Sequence, residues 1–483
     1  MIVSKTAVGT SKKQPKYKQI INHIKEKIST GEWPIGSVIP SQRELAVHFG
    51  VNRSTVITAL EELMADGLLE GKIGMGTVVI NNTWTLLATN PPPDWNEYVQ
   101  SGLHKPSQAA VQEINRDESN KSLIQLSKGE LAPDIFPLAT MKAVMQRVTD
   151  RLETFGYEEP RGYLPLRQAL SDYVKGFGID ASPSSILIVS GGLQALQLIA
   201  VGLLHRGSTV FLERPSYVYS LHVFQSAGMK LSGLPMDQHG LIPGAISEQK
   251  KLRSGDILYT IPCYHNPTGV LMSEKRRQEL LGVCEEVRLP VMEDDIYREL
   301  WLDEPAPPPL KAMDKHGHVL YLGSLSKSLT PGLRIGWIIG PEPVIERLAD
   351  IKMQTDYGAS SLSQRVAAEW LSSGLYSQHT QMVREELKIR RAAMLGALEL
   401  HMKELADWHT PEGGFFIWLK IRAKVSMLEL FSKASRQGVL LNPGNIYAQE
   451  TDGYLRLSYA YAALPQLEQG VRKLSEIVAS LSR

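Results

Sequence analysis

Gly323-Ser324-Leu325-Ser326-Lys327-Ser328-Leu329-Thr330-Pro331-Gly332-Leu333-Arg334-Ile335-Gly336-Trp337 is the stretch on which the reading of this 483-residue chain turns. The apolar run Val319-Leu320-Tyr321-Leu322 leads into it and Trp337-Ile338-Ile339 leads out. Both read as buried strands, with Gly, Ser and Pro punctuating a loop between them. A single lysine is thereby set at a strand end among small hydroxyl residues, with an arginine seven positions on. A lysine amine condenses with an aldehyde, and a neighbouring phosphate anchor would suit pyridoxal phosphate. A solvated loop lysine fits the same residues, so the decision passes to the rest of the chain.

Working outward, other apolar runs end the same way. Ile186-Leu187-Ile188-Val189 runs into Ser190-Gly191-Gly192 and then an amphipathic helix from Leu193 to Leu204. Strand, glycine turn and helix N-terminus make a seat for an anion, because free amides and the helix dipole both favour negative charge, although such turns also serve close packing alone. Ile257-Leu258-Tyr259-Thr260 precedes Pro262-Cys263-Tyr264-His265-Asn266-Pro267-Thr268-Gly269, and Pro290-Val291-Met292 precedes Glu293-Asp294-Asp295-Ile296-Tyr297. In each case a buried strand delivers polar side chains at its end, where α/β sheets bind ligands. From about residue 122 onward such strands alternate with helical patterns, which predicts an α/β domain.

Composition bounds the alternatives. A prior of roughly 150 residues per domain suggests about three domains. A hydrophobic fraction of 43% and a charged fraction of 21% are ordinary for a globular protein. The net charge of +1 gives no whole-molecule field toward nucleic acid, so any such site has to be local. Lys5, Lys12, Lys13, Lys16 and Lys18 make the start basic, without the apolar core of a signal peptide, and no later run is long and apolar enough to span a bilayer. The expectation is a cytoplasmic protein with no membrane partner. Two cysteines, Cys263 and Cys284, make neither a disulfide framework nor a four-ligand metal site, and no metal is expected.

The first eighty residues have a separate pattern. Tyr17, Ile20, Ile24 and Ile28 recur at helical spacing up to Gly31-Glu32-Trp33-Pro34. Pro40-Ser41-Gln42-Arg43-Glu44-Leu45-Ala46 opens a second helix, with Ser41 and Glu44 at capping-box spacing. Gly50 gives a turn, and Asn52 is expected to cap a third helix that buries Val56, Leu60 and Leu63. Gly67-Leu68-Leu69 and Ile73-Gly74-Met75-Gly76-Thr77-Val78-Val79-Ile80 then read as two strands with a glycine-rich tip. The sum is a winged helix-turn-helix, whose later helix enters the major groove of double-stranded DNA. Arg53, Ser54, Thr55 and Thr58 would face the DNA, Arg43 would reach a phosphate or base edge, and the wing glycines Gly74 and Gly76 would allow close backbone approach.

Between these regions, residues 81 to about 121 read as a connector, with Pro91-Pro92-Pro93-Asp94 and a polar stretch through Asp117-Glu118-Ser119-Asn120. Trp84, Trp95, Tyr98 and Val111 suggest that parts of it dock. Wholly flexible, about 40 residues would span about 35 Å, close to one turn of DNA at roughly 34 Å.

Pro-Ser-x-Arg-x-Leu-Ala, Gly-Val-x-Arg-x-Thr-Val and the glycine wing resemble the winged-helix domain of the GntR superfamily of bacterial transcription regulators. Ile57 departs from the pattern, standing where many members place a second basic residue, which implies fewer phosphate contacts. The phosphate turn, Asn266, Asp294 and Lys327, in that order, resemble the fold-type I aminotransferases over about residues 125–480. Together the two parts resemble the MocR-type (GntR/aminotransferase chimera) regulators. The expected domains are 12–80 for the winged helix, 81–121 for the linker and 122–483 for the aminotransferase-like part, its small domain from about 370.

The resemblance implies roles for particular residues. Lys327 would bond covalently to pyridoxal phosphate, and Asp294 would pair with the ring nitrogen. Tyr297 and Asn266 would hydrogen-bond the ring 3-oxygen, and Tyr217 would stack on the ring face. Ser324, Ser326, Arg334 and the amides of Gly191 and Gly192 would hold the phosphate. Tyr157, in a Tyr-x-x-Pro-x-Gly stretch, would reach that phosphate across a homodimer interface. Gly192-Leu193 departs from the family, where many relatives carry side-chain donors, and shifts the load to backbone, serines and Arg334. Arg456, in Tyr454-Leu455-Arg456-Leu457-Ser458-Tyr459, falls at the arginine that binds an amino-acid carboxylate, with Pro443-Gly444-Asn445-Ile446-Tyr447 closing one side of the pocket. The favoured expectation is a dimeric transcription regulator that senses pyridoxal phosphate or an amino-acid-like effector. A working aminotransferase with a DNA-targeting appendage, and an enzyme-like domain kept only for assembly, are the alternatives.

Overall fold

Residues 15–72, 74–81, 95–102, 107–154, 156–249, 253 and 255–482 are described by a computed structural model. Lys5, Lys12, Lys13, Ile73, Asn82, Thr83, Trp84 and Pro91-Pro92-Pro93-Asp94 lie outside the described residues. The chain divides into two units, 1–102 and 103–483.

In the first unit α1 (Lys16–Ser29), α2 (Gln42–Phe49) and α3 (Arg53–Ala65) precede a hairpin of β1 (Leu69–Lys72) and β2 (Gly76–Val79). The helical periodicity of Ile20, Ile24 and Ile28 puts them on one face of α1, in a core with Leu45, Val56, Leu60, Leu63 and Val79. The capping box forms: Ser41 Oγ accepts from the Glu44 amide at 3.4 Å, and the Ser41 amide donates to Glu44 Oε2 at 2.7 Å. Gly50, at φ 58°, ends α2 in a left-handed turn. Asn52 stands at the N-cap of α3, but its side chain accepts no helix amide; its backbone carbonyl takes the Thr55 amide instead, at 3.1 Å. β1 starts later than the hydrophobic pattern predicts, at Leu69, and runs on to Lys72, while β2 is shorter, because Gly67 and Gly74 have positive φ and turn the chain there. Further on, α4 (Trp95–Ser101) leaves Trp95 and Tyr98 exposed, with their rings 5.5 Å apart. At i, i+3 spacing the two rings meet each other.

The second unit begins with α5 (Ala109–Asp117), which buries Ile114 and packs Val111 against the main core. Val111 docks as expected, and the part of the expected connector from Ala109 to Asp117 is an amphipathic helix of the second unit. Next come β3 (Ile124–Gln125), α6 (Leu138–Asp150) and α7 (Leu164–Lys175). The main sheet uses β4 (Ile186–Val189), β5 (Thr209–Arg214), β6 (Lys230–Asp237), β7 (Gly240–Leu241), β8 (Ile257–Thr260), β9 (Val291–Asp294), β10 (Val319–Ser324) and β11 (Gly336–Ile339), with α8 (Gly192–Gly202) following β4. Its order is β4-β11-β10-β9-β8-β5-β6-β7. The five strands β10, β9, β8, β5 and β6 run parallel, whereas β11 is antiparallel to both β10 and β4. Every residue of β4, β8, β9 and β11 is buried, the near-continuous apolar run expected of a sheet covered on both faces.

The decisive stretch is thus a long hairpin, with Ser324 opposite Gly336 and Gly323 opposite Trp337. A Cβ at Gly323 would lie 2.3 Å from the Trp337 ring, so glycine is what lets the two strands close. A smaller sheet of β12 (Ala406–Trp408), β13 (Phe416–Ile421) and, beyond β14 (Val439–Leu440), β15 (Tyr454–Ser458) has the order β12-β13-β15, and β14 pairs in parallel with β3. In the sequence, Glu412-Gly413-Gly414-Phe415-Phe416-Ile417-Trp418-Leu419 reads as one strand, here β13. It starts at Phe416 because Gly413 and Gly414 turn against Tyr264, whose ring would meet a Cβ at Gly413 at 2.4 Å. From Met382 to Leu400 the sequence reads as a long helix with charges on one side, and the 27-residue helix Leu375–His401 contains that stretch.

Candidate functional site

Parallel strands end together, so the polar residues that follow β8, β9 and β10 are gathered at one edge of the sheet, beside the N-terminus of α8. They line a cavity of about 420 Å³. Lys327, just past β10, enters it with its Nζ donating to the Gly129 carbonyl at 2.7 Å. Burial, reinforced by the Arg456 charge, lowers the pKa of this amine to about 8. Asp294, the last residue of β9, is almost fully buried. Its Oδ2 accepts from Tyr259 Oη at 2.6 Å while Oδ1 has no partner. Burial raises the Asp294 pKa to about 6, opposed by the Tyr259 hydrogen bond.

Asn266 links two neighbours: its Nδ2 donates to Tyr297 Oη at 3.4 Å and its Oδ1 accepts from Arg456 Nη1 at 2.9 Å. Arg456 also donates from Nη2 to the Ser127 carbonyl at 2.7 Å. Its guanidinium carbon stands 4.1 Å from the Phe416 ring centre and 5.3 Å from that of Tyr447. A buried arginine on β15 so arranged is no edge-strand surface residue. Its Nε has no partner, and among the described residues no carboxylate pairs with it. Tyr217 lines the cavity, its amide donating to the Asn266 carbonyl at 3.1 Å.

The remaining candidates form the opposite end. Ser324 Oγ accepts from the Ser326 amide at 3.1 Å and lies 2.9 Å from the Ile335 carbonyl. Arg334 Nη2 donates to the Ser190 carbonyl at 2.7 Å, and a Cβ at Gly191 would come within 2.6 Å of that nitrogen. Gly191, at φ 100°, is therefore a seat for the guanidinium; the cavity wall itself is Gly192 and Leu193. Their amides belong to the first turn of α8 and have no intrahelical acceptor. The Gln194 side chain is turned away, accepting from the Ser190 amide and donating to Asp356. Tyr157 is absent from the cavity of its own chain: it is 81% exposed, its ring 5.0 Å from that of Tyr357.

Several contributors escape a reading of the sequence. Tyr259 is one, hidden inside an apolar run, though a phenol in a buried strand needs a partner. Gly129 and Asn442 come from loops with no pattern of their own, whereas Ile446 and Tyr447 line the cavity in the stretch expected to close it. Val111, Ile114 and Glu118 come from α5 and its end, where their helical spacing is the signal that connector composition masks. Cys263 is buried beside Arg277 and Arg298, and burial pushes its thiol up to about 12.

In the first unit Arg43, Arg53, Ser54, Thr58, Gly74 and Gly76 are exposed and Thr55 is half-buried. Arg53 Nε donates to Gln42 Oε1 at 3.0 Å, bracing the start of α3 against α2.

Residues 121–474 match the family described as aminotransferase class I and II, and residues 16–79 match the bacterial regulatory proteins of the gntR family. The uncharacterized HTH-type transcriptional regulator YdfD of Bacillus subtilis is 65% identical over 98% of either chain. The HTH-type transcriptional regulator NorG of Staphylococcus aureus is 34% identical over 90% of this chain and 98% of its own. Among solved structures, a multiple substrate aminotransferase from Thermococcus profundus superposes with a TM-score of 0.72 at 30% identity, over 78% of this chain and 96% of its own. The α-aminoadipate aminotransferase LysN of Thermus thermophilus, complexed with N-(5'-phosphopyridoxyl)-L-leucine, does so with 0.72 at 30%, over 80% and 98%. No helix among the described residues is long and apolar enough to cross a membrane.

Proposed function

Because the chain belongs to the HTH-type transcriptional regulators of the MocR type, a gntR-family domain joined to an aminotransferase class I and II domain, we propose that it is a cytoplasmic, homodimeric regulator. In this reading its second unit binds pyridoxal phosphate and an amino-acid-like effector, and so governs how two winged helices engage DNA. One observation carries the proposal. Lys327 Nζ, the partnerless Asp294 Oδ1 and an Arg456 without a counter-ion meet in one cavity. The volume, about 420 Å³, is at the small end of ligand pockets, which run from roughly 300 to 1,000 Å³.

The residues fit the cofactor. A lysine whose amine is half-neutral near pH 8 attacks an aldehyde far more readily than one at about 10.4. A buried carboxylate oxygen lacking a donor is costly until a protonated ring nitrogen faces it. First-turn amides of α8, with Ser324, Ser326 and Arg334, offer donors to a phosphate. Asn266 and Tyr297 would hydrogen-bond the ring 3-oxygen, Tyr217 would pack on the ring, and Tyr157 of a second copy would complete the phosphate site. When bound, pyridoxal phosphate supplies an aldehyde and an electron-withdrawing ring. Arg456 takes the effector carboxylate through its remaining N–H groups. Arg43, Arg53, Ser54, Thr55, Thr58 and the wing glycines Gly74 and Gly76 contact the DNA.

The test is spectroscopic and then functional. Pyridoxal phosphate should give a visible absorption band that Lys327→Ala lacks, and should change affinity for the DNA flanking the gene. A ligand shifts a conformational equilibrium only by its differential affinity for the two states, so an unchanged operator affinity would reduce the cofactor to a structural part. The depressed amine of Lys327 beside Arg456 also suits proton transfer in a working aminotransferase. Steady ketoacid formation from an amino donor would favour that second reading.

A further inference from the structure

The end of α5 brings into the cavity a group that the function proposed above does not use. Glu118 lines the same cavity as Lys327 and Arg456. Its amide donates to the Ile114 carbonyl at 2.8 Å and closes the helix, so its carboxylate sits at the negative end of the α5 dipole. It is half-buried, and among the described residues no side chain hydrogen-bonds or ion-pairs with it. Arg456 acts on it most among the cations but forms no ion pair with it, and Lys128 is spent elsewhere: its Nζ lies 3.7 Å from Glu130 and meets only the backbone carbonyl of Glu118, at 3.4 Å. Helix dipole and partial burial disfavour a carboxylate here, and burial raises its pKa against the opposing charges of Arg456, Lys128 and Lys327. Packing alone would be better served by a neutral residue.

The cavity therefore holds two opposite charges, Arg456 and Glu118, that act on each other without forming an ion pair, each left open to a contact partner from a ligand, beside the Lys327 amine. An effector carboxylate takes Arg456, and the effector's reacting amine is drawn to the place of Lys327. Glu118, joined at the rim by Glu130, is left for something else. Val111, Ile114, Leu193 and Leu196 give the cavity an apolar lining suited to a methylene stem.

Resting on the cofactor-binding reading above, we propose that the effector is an amino acid carrying a second, cationic nitrogen at the end of its side chain, and that Glu118 is the residue that selects it. A second carboxylate in the ligand would meet Glu118 and Glu130 and be refused, which is discrimination by repulsion as much as by attraction.

Calorimetric titration of the full-length, cofactor-loaded protein tests this with L-lysine, L-ornithine, L-norleucine and L-glutamate. L-lysine or L-ornithine should bind about tenfold or more tightly than L-norleucine, as expected for one charge-assisted contact in a partly desolvated site. Glu118→Gln should bring that ratio to about one, and Glu118→Lys should turn the preference toward L-glutamate, a reversal that damage to α5 would not produce. Equal binding of L-lysine and L-norleucine by the unaltered protein overturns the proposal, as does a ratio that Glu118→Gln leaves in place. Absence of the cofactor absorption band in the same sample removes both this proposal and the reading it rests on. A normal band, with amino acids bound through Arg456 but without preference for cations, removes this one alone.

Discussion

Lys327 carries a prediction that separates a buried amine from an exposed one. Its pKa is lowered to about 8, chiefly by burial. The rate of covalent capture of pyridoxal phosphate should therefore rise with pH and level off above about 8, because only the deprotonated amine attacks. An inflection near the free-lysine value of about 10.4 would contradict the burial described here. Asp294→Asn keeps the shape but removes the charge proposed to face a protonated ring nitrogen, and should weaken cofactor retention on the order of tenfold or more, measured by dialysis and absorbance. At this scale the sequence is most legible where a side chain has one chemical use. Lys327, Asp294 and Asn266 follow the ends of apolar runs, Arg456 stands inside a short strand, and the structure gathers them in one cavity. Tyr259 and Glu118 are not legible in that way, since a tyrosine in a buried strand and a glutamate in a polar stretch have commoner explanations. Tyr157 answers to neither case: it is exposed and outside the cavity of its own chain, and the role proposed for it needs a second copy.

Among the elements, the loop that carries Tyr157 is pinned to β4 at a glycine. A Cβ at Gly162 would fall 2.6 Å from Ile188 and 2.7 Å from Gln364 Oε1, and φ there is +98°. Gly162→Ala should thus cost about 2–4 kcal/mol, combining a left-handed backbone with overpacking, and should show as a lower midpoint in thermal unfolding of the second unit. In the first unit Ser41→Ala removes the side-chain half of the capping box and should cost about 1 kcal/mol, a few degrees for a domain so small. Strands were readable because a sheet covered on both faces demands unbroken apolar runs. What misled was local punctuation: Gly413-Gly414 delays β13 to Phe416, and Asn52 leaves capping to its backbone. The polar composition around α5 hid an amphipathic helix whose apolar positions number only a few.

For the whole molecule, a net charge of +1 leaves operator attraction to a handful of groups on the reading head. Arg43 makes no ion pair among the described residues, and Arg53 is partly engaged by Gln42. Replacing Arg43 by alanine should flatten the dependence of log affinity on log salt by about 1 for each chain that touches DNA, and should weaken binding to all sequences alike if its contact is a phosphate. The placement of α5 has a consequence of another kind. The family match begins at residue 121, and composition puts the border in the same neighbourhood, yet Val111, Ile114 and Glu118 already wall the cavity. Any exchange of reading heads between such regulators, by recombination or at the bench, has its workable seam upstream of residue 103. A hybrid spliced at 122 would inherit a sensor with one side missing.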